Sequence, residues 1–249
     1  MKTYCKIQFH FLSAAILLMI GCSTQKETLS SKQFEIKHWL TIEKHPCFGH
    51  CQVFKLSVYR NGLVIYEGKE YLEKKGVYFS ELSSEKMNKL KRQSDPLSWA
   101  NYKNEYMVNI ADLPLTELDY FDIHGAKIKH IKANSNLPDP LHTLSKTLIE
   151  LISSESWTQI QKKPDMVNPE IISNELVVDM DSSLTKEMLE EEFLLYDFKA
   201  LQKISAYMNL WSFQYNEDKI GKYEMLIMLR KKNGIRSVNF NRKLLPREE

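Results

Sequence analysis

The seven residues HPCFGHC, from His45 to Cys51, gather two cysteines and two histidines around a proline and a glycine. Three chemistries suit these residue types: a disulfide-closed turn, a metal site and a redox-active dithiol. Pro46 and Gly49 favour a tight turn, which would bring the sulfur atoms of Cys47 and Cys51 within bonding distance of each other. We therefore predict a disulfide between Cys47 and Cys51.

Two alternatives remain open for this turn. A zinc site would take four ligands from seven residues, namely His45, Cys47, His50 and Cys51. Structural zinc sites usually draw their ligand pairs from two separated segments, which disfavours this arrangement. A reactive dithiol is more typical of the spacing C-x-x-C, whereas the spacing here is C-x₃-C. No metal ion or other cofactor is therefore predicted for the chain.

The start of the chain predicts export and lipid anchoring. Two lysines precede the ten-residue apolar run Phe11–Ile20, which has the length of a signal-peptide hydrophobic region. As a helix this run is too short to span a bilayer core of about 30 Å. The following LMIGC, Leu18 to Cys22, resembles the lipobox of bacterial lipoproteins. The resemblance implies cleavage after Gly21 and acylation of Cys22, for example with palmitate, which attaches the mature chain to membrane lipid.

These features predict the organisation of the N-terminal part and the location of the protein. Residues 1–21 are expected to be a signal peptide, and residues 22–33 the lipidated cysteine with a polar tether. The expected location is the cell envelope, with the lipid anchor in the outer membrane, at its periplasmic face or at the cell surface. That compartment is oxidising, which favours pairing of the two remaining cysteines, Cys47 and Cys51.

Composition limits the possible partners. The full chain has 34 basic and 32 acidic residues, and both lysines that precede the apolar run would leave with the signal peptide. The mature protein would then carry equal numbers of basic and acidic residues. A neutral chain gives no electrostatic argument for nucleic-acid binding, and none is predicted.

Alternating apolar residues predict strands in the region that follows the tether. Phe34–Lys44 alternates as a strand, and the strands on either side of Asn61-Gly62 should form a hairpin with a type I′ turn. Two further strands are expected on either side of a turn at His124-Gly125. This alternation is typical of an antiparallel sheet.

Two helices are predicted among these strands. One runs from Ser83 to Gln93 with Ser83 as N-cap, and the other follows Pro140. The second helix places four apolar residues on one face: Leu141, Leu144, Leu148 and Ile152. The order of strands, helix, strands and helix predicts an α+β domain with a mostly antiparallel sheet over residues 34–152.

The segments PCFGHCQVFKLSVYRNGLVIYEG and DLPLTELDYFDIHGAKIKHI resemble the family called domain of unknown function 6438, which is common in envelope lipoproteins. The resemblance covers Trp39 to Ile152 and includes the motif Asp112-Leu113-Pro114. Gln52 and Ala111 depart from it, since the family more often has proline and threonine at these places. The family name implies no activity. We keep His45, His50 and Asp112 as candidates for a surface site.

Residues 153–170 are polar, contain two prolines and are predicted to be an interdomain linker. Beyond them, a strand, a helix capped by Thr185, two strands, a helix ending at Gly234 and a last strand are expected. This order, β-α-β-β-α-β, predicts a ferredoxin-like domain over residues 171–249. The inward face of its first helix should carry Met188, Leu189, Phe193 and Tyr196.

The element order and the ending NGIRSVNFNRKL resemble the prodomains of subtilisin-like proteases, over about Asn174 to Leu244. In that family the segment after the last strand lies in the protease cleft. Here that segment would correspond to Arg242–Pro246. Any inhibition is expected to act in trans, on a separate protease.

No motif of an enzyme is found: the sequence contains no G-x-S-x-G, H-E-x-x-H or P-loop, and its histidines are scattered. We therefore predict a non-catalytic envelope lipoprotein whose two modules bind another envelope component. The alternative is a trans-acting inhibitor or folding helper of a subtilisin-like protease. A thiol–disulfide or metal-binding protein is the third hypothesis.

Overall fold

Residues 36–162 and 171–243 are described from a computed structural model of the protein. The predicted signal peptide, Cys22 and the whole of the tether lie outside the described residues, and so does the segment after Lys243. Within the described part, no helix is both long and apolar enough to cross a membrane.

The first sheet is mixed and has eight strands. These are β1 (His38–Lys44), β2 (Val53–Tyr59), β3 (Leu63–Glu70), β4 (Gly76–Glu81), β5 (Glu105–Tyr106), β6 (Thr116–Phe121), β7 (Lys127–Ala133) and β8 (Thr158–Gln161). Their spatial order is β5-β7-β6-β1-β2-β3-β4-β8. Only the short pairing of β5 with β7 is parallel, so the prediction of a mostly antiparallel sheet is confirmed.

Two helices pack on this sheet. α1 (Ser84–Ser94) begins after Ser83, whose Oγ accepts a hydrogen bond from the Lys86 amide at 3.3 Å, as the predicted N-cap requires. α2 (Asp139–Ser154) has Pro140 in its first turn. Both helices join the strands in one buried core, which includes Leu90, Leu141, Leu144 and Leu148 with Leu40, Ile42, Leu56 and Val64.

The turn between β2 and β3 differs from the predicted type I′ turn. The Gly62 amide donates to the Tyr59 carbonyl at 3.0 Å, and only Gly62, with φ of +92°, has a positive φ angle in this turn. Asn61 instead accepts a hydrogen bond from the Leu63 amide through Oδ1. This is a three-residue hairpin loop, in which a β-turn with negative φ angles at its central residues is followed by a glycine with a positive φ angle.

The second sheet is antiparallel and has four strands in the order β10-β11-β9-β12. The strands are β9 (Ile171–Met180), β10 (Lys199–Lys203), β11 (Leu210–Gln214) and β12 (Ile235–Arg242). α3 (Lys186–Glu192) and a 3₁₀ turn (Leu194–Tyr196) lie between β9 and β10, and α4 (Lys222–Arg230) lies between β11 and β12. The elements therefore follow the predicted order along the chain.

The first helix of this unit is only partly oriented as predicted. Thr185 Oγ1 accepts a hydrogen bond from the Met188 amide at 3.3 Å, so the expected cap is present. Leu189, Phe193 and Tyr196 are buried, but Met188 is 47% exposed. Leu189, Phe193 and Tyr196 follow one another at spacings of four and three residues and so share one face, whereas Met188 lies about 100° around the helix from Leu189.

The predicted linker, residues 153–170, contains regular structure in its described part. α2 continues to Ser154, and β8 extends the first sheet by pairing with β4, where Val77 opposes Gln161 and Phe79 opposes Thr158. β8 is a mostly polar edge strand that pairs with β4 through its backbone, and its one apolar residue, Ile160, is partly buried against the apolar clusters. Apolar periodicity therefore could not have revealed it.

A further apolar cluster joins the two sheets. Tyr59, Ile65 and Val77 of the first sheet contact Tyr223 and Ile227 of α4. The opposite side of α4 contributes to the core of the second sheet through Met225, Leu226, Met228 and Leu229. α4 is thus buried on both sides, which explains why it is apolar around most of its circumference.

Candidate functional site

Cys47 and Cys51 form a disulfide in the turn between β1 and β2, with their Cα atoms 5.7 Å apart. Gly49 has φ of +134°, a conformation that favours glycine within this short ring. Both sulfur atoms are used in the bond, so in this oxidised state the turn offers no thiolate to zinc. This geometry supports the predicted disulfide rather than the four-ligand zinc site or the free dithiol.

The three candidate surface residues are placed in different surroundings. His50 is exposed and packs edge-on against the Tyr71 ring, with 4.9 Å between the ring centroids. Asp112 is exposed and has φ of +64°, which is typical of a turn residue. His45 lies beside two glutamates of the first sheet. A site shared by His45, His50 and Asp112 therefore receives no support from their contacts.

His45 follows β1 directly, and its backbone amide donates to the Leu115 carbonyl at 2.9 Å. Its Nε2 atom lies 3.5 Å from Oε2 of Glu117 on β6. Glu43 of β1 is the direct cross-strand neighbour of Glu117. One ligand atom from each of Glu43, His45 and Glu117 falls within 4.8 Å of the other two, so the three residues could hold a metal ion.

A second polar cluster lies where the two sheets meet. Glu224, in the first turn of α4, is only 8% exposed, and its Oε1 accepts a hydrogen bond from the Tyr59 hydroxyl. Nε2 of His38 on β1 lies 3.4 Å from the same oxygen. Gly221 allows this arrangement, because a Cβ atom there would lie 2.3 Å from Glu224 Oε2. The cluster therefore links β1 and β2 to the second unit by polar contacts.

The electrostatics of this cluster favour an ionised Glu224 beside a neutral Tyr59. Burial alone would raise the pKa of Glu224, but the hydrogen bonds from His38 and Tyr59 and the charge of His38 outweigh it and lower that pKa. Burial and the adjacent Glu224 carboxylate raise the pKa of Tyr59 well above 10.0. A carboxylate that accepts from two side chains is held in place rather than presented to a substrate.

A cavity of about 460 Å³ adjoins the cluster. His124, Gly125, Glu217 and Lys219 contribute to its wall, together with His38, Tyr59 and Glu224. Sequence reasoning missed Glu224, although one signal was present: it is an acidic residue in the apolar helix sequence KYEMLIMLR. Such a residue must find partners when the helix is buried.

The part of the chain that contains the second sheet, residues 171–243, also exposes apolar side chains along one stretch. Among the described residues, seven of the fourteen exposed large apolar side chains fall between positions 188 and 208. We call this set the β10 surface: Met188, Leu194, Leu195, Leu201, Ile204, Tyr207 and Met208. It includes β10 and the segments that flank it, and among the described strands β10 is an edge strand that pairs only with β11.

The comparisons with known proteins concern the first part of the chain. Residues 38–152 match DUF6438, a family described as a domain of unknown function. These residues form a DUF6438 domain. No curated protein and no solved structure matches the chain.

The DUF6438 domain contains β1 to β7, α1 and nearly all of α2. It also contains the disulfide turn and the Glu43–His45–Glu117 cluster. The match ends before β8 and the second sheet. His38 and Tyr59 therefore belong to the DUF6438 domain, whereas their partner Glu224 does not.

Proposed function

We propose that the protein is a non-catalytic, lipid-anchored protein of the cell envelope whose C-terminal unit binds another envelope protein. The observation that carries the proposal is the β10 surface. Exposed apolar side chains that lie together in space are typical of interaction sites. Here seven such side chains fall between positions 188 and 208, on or beside one edge strand, and this supports the proposal. The DUF6438 domain would then act as the rigid base that holds this unit.

The edge position of β10 supports binding by strand addition. Within the described residues, β10 pairs with no strand other than β11, and the Ala200 amide donates to Glu190 Oε1 at 2.8 Å. An extended segment of a partner could pair with the remaining outer backbone groups. Leu201 and Ile204 are 48% and 45% exposed, and Tyr207 in the following turn is fully exposed. Lys199 and Lys203 belong to the same strand, and this charge favours a partner whose extended segment is acidic.

We also propose that the C-terminal unit is a ferredoxin-like domain. The supporting observations are its element order and its strand order β10-β11-β9-β12, with every neighbouring pair antiparallel. The same order would also suit a prodomain-like inhibitor of a subtilisin-like protease. That second function would depend on the segment after β12, whereas binding at the β10 surface would not.

The location in the envelope rests on the LMIGC segment, in which Cys22 would carry the acyl chains. With the anchor in the membrane, the polar tether of residues 22–33 would hold the folded part near the bilayer. The lipid anchor thus brings the β10 surface close to other envelope proteins.

Site-specific photo-crosslinking in cells tests the proposal. A photoreactive amino acid at Tyr207 should give a discrete protein adduct, because this side chain lies in the β10 surface. The matched control carries the same probe at Ile123, which is 65% exposed in the DUF6438 domain. Leu201→Glu in the Tyr207 probe background should reduce the adduct, because it removes an apolar contact and places a negative charge opposite an acidic partner segment. The proposal fails if both probes give the same adducts or if Leu201→Glu changes nothing.

A further inference from the structure

The end of β1 brings two carboxylates into direct opposition. Glu43 and Glu117 are cross-strand partners on β1 and β6, and like charges placed directly opposite each other destabilise a sheet. A cation or a hydrogen-bond donor between the two side chains would offset this repulsion. His45, two residues after Glu43, directs its imidazole to the same place.

Two lysines already contact the cluster, but each uses only one carboxylate oxygen. Lys69 Nζ lies 3.0 Å from Oε1 of Glu43, and Lys132 Nζ lies 3.6 Å from Oε1 of Glu117. His45 Nε2 faces the other oxygen of Glu117, Oε2. The lysines can therefore hold the carboxylates in position while oxygens on the imidazole side remain available to an ion.

The distance between His45 and Glu117 fits two ligands of one ion better than a hydrogen bond. Nε2 and Oε2 are 3.5 Å apart, beyond the usual range of about 2.7–3.2 Å for N–H···O bonds. Two tetrahedral zinc ligands at about 2.0–2.1 Å from the metal lie about 3.4 Å from each other. Within the described part of the chain, His45 Nε2 is enclosed and has no hydrogen-bond partner.

We propose that Glu43, His45 and Glu117 bind a divalent transition-metal ion, with zinc as the best fit. Zinc accepts both imidazole nitrogen and carboxylate oxygen, and three protein ligands leave a fourth position for water or a partner's side chain. This site differs from the zinc site considered from the sequence, because it uses no cysteine and keeps the disulfide. The two lysines reduce the negative charge of the cluster, so we expect micromolar rather than nanomolar affinity.

Calorimetric titration with zinc chloride tests the site directly. The mature, detergent-solubilised protein, without any histidine tag and after removal of metals by a chelator, should bind one ion per chain. His45→Ala and Glu117→Gln should each weaken binding at least tenfold, because the first removes a ligand and the second replaces a charged carboxylate by a weaker, neutral amide oxygen. Thermal melting of each variant in the presence of the chelator should show that the fold is kept.

His50→Ala is the matched control, since His50 lies within the neighbouring disulfide turn but packs against Tyr71. It should bind zinc as the unchanged protein does. Cobalt substitution adds a spectroscopic readout: visible bands without a thiolate charge-transfer band would indicate nitrogen and oxygen ligands only. Absence of binding, equal loss in His50→Ala, a thiolate band, or unchanged binding in His45→Ala would each overturn the proposal.

Discussion

Replacing Tyr59 by phenylalanine should destabilise the protein more than the loss of an ordinary buried hydroxyl. The substitution keeps the ring in the cluster that joins the sheets and removes only the donor to Glu224. A hydrogen bond to a charged group contributes about 1.5–3 kcal/mol, whereas a neutral one contributes about 0.5–1.5 kcal/mol. Since Glu224 stays buried and His38 is its other partner, we expect a loss of about 2 kcal/mol.

The matched control is Tyr66→Phe. Tyr66 is also fully buried in the first sheet, but its hydroxyl donates to the neutral Lys74 carbonyl at 3.2 Å. Its loss should cost about 1 kcal/mol. The assay is urea unfolding followed by tryptophan fluorescence, in which Trp39, Trp99 and Trp157 report the core of the first sheet and Trp211 reports the second sheet. The reasoning is refuted if Tyr59→Phe costs no more than Tyr66→Phe.

The same cluster predicts a pH dependence of the free energy of unfolding. The pKa of Glu224 is lowered from 4.5 in the folded protein, so the unfolded state binds more protons between the two pKa values. Its stabilising contribution is therefore present above about pH 4.5 and is lost as pH falls through the lower pKa of the folded state. Glu224→Gln should therefore make the free energy of unfolding depend less on pH in the acidic range. At the alkaline end, the raised pKa of Tyr59 predicts a loss of stability above about pH 10, which Tyr59→Phe should reduce.

Three further predictions concern the ends of the chain and the disulfide. Replacing Cys47 and Cys51 together by serine should lower the free energy of unfolding by about 2 kcal/mol, because a closed short loop restricts the unfolded chain. Reductant should lower the stability of the unchanged protein but not that of the variant. An equal effect of reductant on both proteins would contradict this prediction. Cys22→Ala should abolish fatty-acid labelling and release the protein from membranes, whereas unchanged labelling would exclude the lipid anchor at this residue. Deletion of residues 243–249 leaves β12 intact. We expect that neither the full mature protein nor this variant slows a subtilisin-class protease at micromolar concentration. Stoichiometric inhibition that requires these residues would make protease inhibition the leading function.

Local patterns in the sequence were sufficient to predict much of the secondary structure. The caps at Ser83 and Thr185, the strands around Asn61-Gly62 and the helix after Pro140 follow from side chains within a few residues of each other. The disulfide could be predicted for the same reason, because its two cysteines are four residues apart. The DUF6438 domain, over residues 38–152, was identified from similarly local motifs.

Tertiary structure decided the features that depend on distant partners. β8 is mostly polar, and it becomes a strand because β4 provides a backbone edge and Ile160 packs against the apolar clusters. His45 was grouped with the cysteines by its spacing, but strand register places it beside Glu43 and Glu117. Tyr59 and Glu224 are separated by 165 residues, and their hydrogen bond forms because α4 is buried between two sheets. Periodicity reports which face of an element is apolar, whereas the packing of one element on another determines which polar groups meet.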